Sequence, residues 1–268
     1  MIQHRLKRRY DLEVLTHEPK IPYRETIQSE GAADYRHRKQ SGGRGQFGEV
    51  HLRIYPLSRE ITNQQELEEQ FANKSRFEKM RSVSYHPEFN FAFVDHIVGG
   101  TIPNQFMPAV EKGCRELLER GALAGYRIQD LAVEVFFGKD HAVDSSEAAF
   151  KTAGRMAFKK AILTAQPTLL EPIVKLEITI PAKYTGAILS DLNGKRGHVE
   201  NQDSLTGDLT VISARVPLAE VTRYAAQIGS MTQGQGSYTM DFSHYDTVPP
   251  NVQQQIVAKG KVHSDEDE

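Results

Sequence analysis

The spacing of apolar positions divides the chain into short elements. In "GEVHLRIYPL" Val50, Leu52 and Ile54 alternate with polar residues, which predicts a strand with one buried face. "QQELEEQFANKSRFEKMRS" is polar with sparse apolar positions at Leu67, Phe71 and Phe77, the pattern of a solvated helix or an ordered excursion. "FAFVDHIVGG" reads as a strand ending at Gly99-Gly100. "PAVEKGCRELLERG" reads as a helix, with Pro108 suited to its first turn and Gly121 just past its end. "YRIQDLAVEVFFG" alternates again as a strand. In "DSSEAAFKTAGRMAFKKAILTA" the residues Ala149, Ala153, Met156, Ala157 and Ile162 lie near helical spacing, and Asp144 and Glu147 stand three apart, as a capping box requires.

From Pro167 onward the same reading yields strand "EPIVKLEITIP", helix "AKYTGAILSDLNGKRG", strands "HVENQDS" and "LTVISARVP", helix "LAEVTRYAAQIGSMTQG" and strand "SYTMDFSHYDTVP". That order, βαββαβ, is the ferredoxin-like arrangement, so the fold class is α+β. At the other end, an amphipathic stretch with Ile2, Leu6 and Tyr10 runs into extended "LEVLT", and "EPKIP" reads as a linker. One helix and one strand cannot bury a core. The expectation is that the chain begins inside a domain whose main part is missing. Four regions follow: 1–22, 23–165, 166–255 and an acidic tail, 256–268, ending in "DEDE" and expected to be disordered.

Composition narrows the function classes. The 268 residues are 39% apolar and 25% charged, with a net charge of -2, which suits a soluble protein and predicts no particular partner. A single cysteine, Cys114, forms no internal disulfide and fits a reducing compartment. No apolar run is long enough to span a bilayer and no signal peptide is present, so cytoplasmic location and no membrane partner are expected. The charge is uneven, however: Tyr35 to Gly48 holds Arg36, Arg38, Lys39 and Arg44 with no acid.

That basic stretch contains "SGGRGQFGEV", a G-x-G-x-x-G pattern at Gly43, Gly45 and Gly48. A kinase glycine loop requires H-R-D and D-F-G partners, and neither is present. A Rossmann turn requires a buried strand before and a helix after, whereas polar "ADYRHRKQS" precedes and a strand follows. No Gly-Lys pair is followed by Ser or Thr, so a Walker A loop is absent. An RNA-recognition motif shares the βαββαβ order but stacks bases on aromatic residues of its central strands, and "IVKLEI" and "LTVISARV" have none. His141, Asp144 and Ser145 are adjacent without implying triad geometry; Asp144 is better explained as a helix cap. No metal site is predicted from the histidine spacing, and Cys114 reads as a packed thiol. The glycines Gly42, Gly43 and Gly45 would let phosphate approach the backbone, with Arg44 supplying charge and Gln46 hydrogen bonds. A tight turn with solvated arginines explains the same residues equally well.

"PYRETI", "SGGRGQFGEV", "IVGGTIPNQFMPAVEKG", "GALAGYRIQDL", "HAVDSSEAAFKTAGRMAFKKA", "LLEPIVKLEITIP", "SDLNGKRG" and "SMTQGQGSYTMDFSHY" resemble, in order, segments of the translation elongation factor G family. The resemblance implies the end of domain III, then domain IV of ribosomal-protein-S5-like type and ferredoxin-like domain V. It implies a ribosomal translocation factor whose domain IV tip enters the small-subunit decoding centre, facing A-site tRNA and mRNA. Domain V would lie near the large subunit's factor-binding RNA, and DNA is not an expected partner. No catalytic site is expected in this chain, and GTP and Mg2+ would belong to a GTPase domain outside it. On this resemblance the tip comprises Ser41, Gly42, Gly43, Arg44, Gly45 and Gln46, with Lys139, Asp140 and His141 from a second loop. His141 aligns with the histidine modified to diphthamide in archaeal and eukaryotic counterparts. The segment 58–88 is longer than usual and Gln235 replaces a common arginine, so a paralogue for ribosome recycling stays open. So does a stand-alone ribosome- or RNA-binding module without GTPase activity.

Overall fold

The structure, a computed structural model, describes residues 8–11, 19–40, 45–72, 80–99 and 101–264. The chain forms two contact units, Tyr23–Glu171 with Tyr245–Glu268, and Pro172–His244 with Met1–Pro22. Among the described residues no helix is long and apolar enough to cross a membrane. The amphipathic helix expected around Ile2 and Leu6, and the strand "LEVLT", fall mostly outside the described residues.

The first unit is built on a sheet ordered β2-β3-β6-β5-β4, from strands β2 (Gly31–Lys39), β3 (Gln46–Pro56), β4 (Ser82–His86), β5 (Phe91–Asp95) and β6 (Leu131–Lys139). β5 and β6 are parallel and the other pairs antiparallel. The alternation at Val50, Leu52 and Ile54 is realised: these side chains are fully buried on the sheet's inner face. Two helices complete that core, α2 (Met107–Arg120) and α3 (Glu147–Thr164). They approach closely because Gly113 lies against the Lys151 carbonyl and Gly154 against Val110, where a Cβ would collide. Pro108 opens α2, and Gly121 follows it at φ 75°, as the sequence predicts.

The helix cap differs from the expectation. Ser146, not Asp144, caps α3, its side chain accepting from Ala149 N at 3.2 Å. The third helical residue is therefore Ala149 and no reciprocal capping box forms; Glu147 merely places a negative charge in the first turn.

The polar stretch before β4 is a packed helix, α1 (Gln64–Ala72). Its start is held by Asn63 Oδ1, which accepts from Glu66 N, while the Glu66 carboxylate accepts from Thr62 N and Oγ1. Leu67 and Phe71 are buried with Tyr55, Ala92, Val94 and Ala132. These four stand on the outer face of the sheet, so α1 covers part of it. Phe77 lies outside the described residues.

β1 (Arg24–Ile27) pairs antiparallel with the first residues of β7 (Pro167–Pro181). Glu25 is buried there and accepts backbone N–H bonds from Ala122, Leu123, Ala124 and Tyr126 at 2.6–3.0 Å, which holds the turn after α2. The expected disorder from residue 256 is corrected for 256–264. These residues end a helix, α6 (Pro250–Ser264), in which Ile256 is buried with Leu169 and Val248. "DEDE" lies outside the described residues.

The second unit has the split βαβ order: β7, α4 (Thr185–Gly194), β8 (His198–Leu205), β9 (Leu209–Pro217), α5 (Tyr224–Met231) and β10 (Ser237–Thr247). Its strands run β10-β7-β9-β8 in space. Leu176, Ile178, Ile180, Ile212, Ala214 and Val216 line one face against Ile188, Leu192 and Ile228 of the helices.

Candidate nucleic-acid interface

The sheet of the first unit brings two distant loops to one end. β2 and β3 form a hairpin closed at Lys39 opposite Gln46, and Glu49 of β3 stands opposite Lys139 at the end of β6. The hairpin loop and the loop after β6 therefore emerge side by side. Gly45, Gln46, Lys139, Asp140 and His141 all lie at this end, whereas Ser41, Gly42, Gly43 and Arg44 fall outside the described residues. Gly138 permits close packing: a Cβ there would collide with the Glu49 carbonyl and with Ile102.

The two loops are bonded to each other. Phe47 N donates to Asp144 O at 2.9 Å. Ser145 Oγ donates to Phe47 O at 3.0 Å and accepts from His141 N at 2.8 Å, so one hydroxyl joins both loops. A Cβ on Gly45 would lie 2.8 Å from the Asp144 carboxylate. The Phe47 and His141 rings lie 6.2 Å apart. The adjacency of His141, Asp144 and Ser145 thus shapes a loop, because the Ser145 hydroxyl is committed to backbone partners.

His141 is 55% exposed, and its ring is oriented by the turn beneath it. The N–H groups of Val143 and Asp144 point at Nδ1, at 3.4 and 3.2 Å. With Nδ1 accepting, the ring proton sits on Nε2, leaving a donor on this exposed side chain. The Asp144 carboxylate also lies close, Oδ2 being 3.4 Å from Nδ1. Gln46 is exposed and its Oε1 meets His37 Nε2 at 2.8 Å. Arg38, Lys39 and Lys139 surround the end with exposed cationic side chains. Such a set can meet phosphate and ribose oxygens without reacting with them.

Two family descriptions match the chain. "Elongation factor G, domain IV" matches residues 19–71 and 62–166, and "Elongation factor G C-terminus" matches residues 168–256. The chain belongs to the elongation factor G family. A curated relative, elongation factor G of Thermotoga maritima, is 44% identical over 253 residues, covering 94% of this chain and 33% of its own length. A solved structure from Thermus thermophilus, titled "Crystal structure of ttk003000868", superposes with a TM-score of 0.73 at 37% identity, covering 97% of this chain and 34% of that one. The chain thus spans about a third of the length of each. The two matched regions meet at 166–168.

Sequence reasoning had no means of finding Phe47 or the bridging role of Ser145. The bond between them spans 98 residues, and neither residue type announces it. For Asp144 and Ser146 a signal existed, since either can cap a helix; the register of α3 decides between them.

Proposed function

We propose that this chain is the RNA-facing C-terminal part of a ribosomal translocation factor. Its partner is the ribosome. The loops at Gly45–Gln46 and Lys139–His141, together with residues Ser41 to Arg44, enter the small-subunit decoding centre and bias tRNA and mRNA forward. The second unit faces the factor-binding RNA of the large subunit. The observation that carries this reading is the joining of the two loops through Ser145 and Phe47 into one blunt cationic end, in a chain of this family. A rigid end obstructs return of the tRNA better than two independent loops, because ordering loops on contact costs conformational entropy. The sequence has no Walker A pattern, and among the described residues no group of acids, cysteines and histidines could hold a metal ion. On this reading GTP and Mg2+ belong to a GTPase domain outside this chain.

The test uses the full-length factor carrying His141→Ala or Ser145→Ala, followed by stopped-flow translocation of fluorescent mRNA on ribosomes. His141→Ala removes an exposed donor, and a hydrogen bond to a charged group is worth about 1.5–3 kcal/mol, so translocation should slow about tenfold or more. Ser145→Ala should slow it too, by freeing the loops, with GTP hydrolysis unchanged and a small fall in melting temperature, since each lost hydrogen bond is worth about 0.5–1.5 kcal/mol. Wild-type translocation by both variants would overturn the reading.

A further inference from the structure

The outer face of the first unit's sheet is divided. α1 covers Tyr55, Ala92, Val94 and Ala132; nearer the tip the face is polar and layered. Two carboxylates lie at the bottom of that layer, Glu49 at 4% exposure and Glu134 at 0%. Each anchors one arginine and one histidine. Glu49 accepts from Arg36 Nε at 2.6 Å and meets His51 Nε2 at 2.9 Å. Glu134 meets His96 Nδ1 at 2.6 Å, and Arg53 Nε lies 3.5 Å away. The acids are thus sealed below while the Arg36 and Arg53 side chains remain 56% and 37% exposed.

Arg53 is the unusual member. Its guanidinium lies over the Phe136 ring, 4.4 Å from the centroid, and its shielded Nε has no hydrogen-bond partner. Together with Phe136, Glu30, Gly31 and Ala32 it lines a cavity of about 480 Å³. The nearby bulge between β3 and β6 brings Phe137 edge-on to His51 at 4.9 Å. A flat cation on an aromatic ring, beside an open cavity, matches the stacking sites that take nucleobases.

We propose that this face is a second RNA-contact surface, separate from the tip, that takes one unpaired nucleotide. The base enters the cavity against the Arg53–Phe136 pair and its phosphate meets the Arg53 and Arg36 guanidinium groups. The proposal rests on the ribosomal reading above, since it needs an RNA partner. An acidic peptide fits less well. Glu30 in the cavity wall and Asp34, opposite His51 on β2, would repel a run of carboxylates, whereas base N–H groups can donate to them. A duplex is disfavoured because its bases are already stacked.

The test is fluorescence anisotropy of the 268-residue chain with a short fluorescein-labelled single-stranded RNA of mixed sequence, across a salt titration. Arg53→Gln and Phe136→Leu should each weaken binding about fivefold or more, and Arg53→Gln should flatten the salt slope by about 0.7. The control Lys112→Gln, exposed on α2, should bind as wild type. In the unsubstituted chain, 4-thiouridine in the RNA should crosslink to the peptide carrying Phe136, a readout independent of any variant's folding. Crosslinks confined to the tip loops, or face variants that bind like wild type, would overturn the proposal. If tip variants translocate normally while the Phe136 crosslink persists, the decoding-centre reading fails and this surface stands. Slow tip variants without that crosslink remove this surface alone.

Discussion

Glu49 is nearly sealed from solvent and bonded to Arg36 and His51. Burial alone would raise its pKa, but the Arg36 and His51 bonds, with the nearby charges of Arg36 and Lys139, outweigh it and hold the carboxyl below its usual range. A depressed folded pKa contributes stability that is full above the unfolded value, about 4.3, and is lost as pH falls through the lower folded value. Glu49→Gln should therefore lower the urea midpoint at neutral pH. The gap from wild type should close as the pH drops below about 4. A gap independent of pH would assign the effect to packing. Cys114 illustrates the opposite case: complete burial, with Glu111 nearby, drives its thiol far above the ordinary range and leaves it inert.

Among the elements, α1 shows where a polar pattern misleads. Leu67 and Phe71, spaced i and i+4, are buried against the sheet, while Glu68 and Glu69 between them are solvated. Two apolar positions are too few to distinguish a packed helix from an exposed one, because the covering depends on Tyr55, Ala92 and Ala132 from three strands elsewhere in the sequence. Leu67→Ala should cost about 2–5 kcal/mol by urea denaturation, as expected for a buried leucine. An effect within about 0.5 kcal/mol would mean that α1 is not part of the core. Where the apolar period is strong, as in β3, α3 and the βαββαβ half, the elements are legible from sequence. The tip is legible in part. Its glycines and arginines mark a loop able to approach phosphate, yet nothing local reveals that Ser145 joins it to the neighbouring loop. The Arg53–Phe136 pair is equally hidden, since it depends on strand register and a bulge.

At the scale of the whole molecule, the helix α6 returns to the first unit. The Gln253 side-chain oxygen accepts from Leu169 N at 2.9 Å and Thr168 Oγ1 at 3.0 Å, and Gly260 packs on the Ala124 carbonyl. Removing residues 250–268 would expose Leu169 and strip its N–H of a partner. The first unit should lose about 3 kcal/mol or more, read as an earlier urea transition; an unchanged transition would show that α6 docks without stabilising. The strand β7 carries a related consequence. Its opening residues pair with β1 and its later ones, from Ile173 to Pro181, with β9. A cut at 166–168, where the two family matches meet, would take from the upstream piece the strand that pairs with β1, and from that same piece the helix that follows β10. The two regions are separable as names along the gene but not as independent parts. Excising or exchanging either one requires carrying segments from the far side of the boundary, so evolution and engineering alike would be expected to move them as a pair.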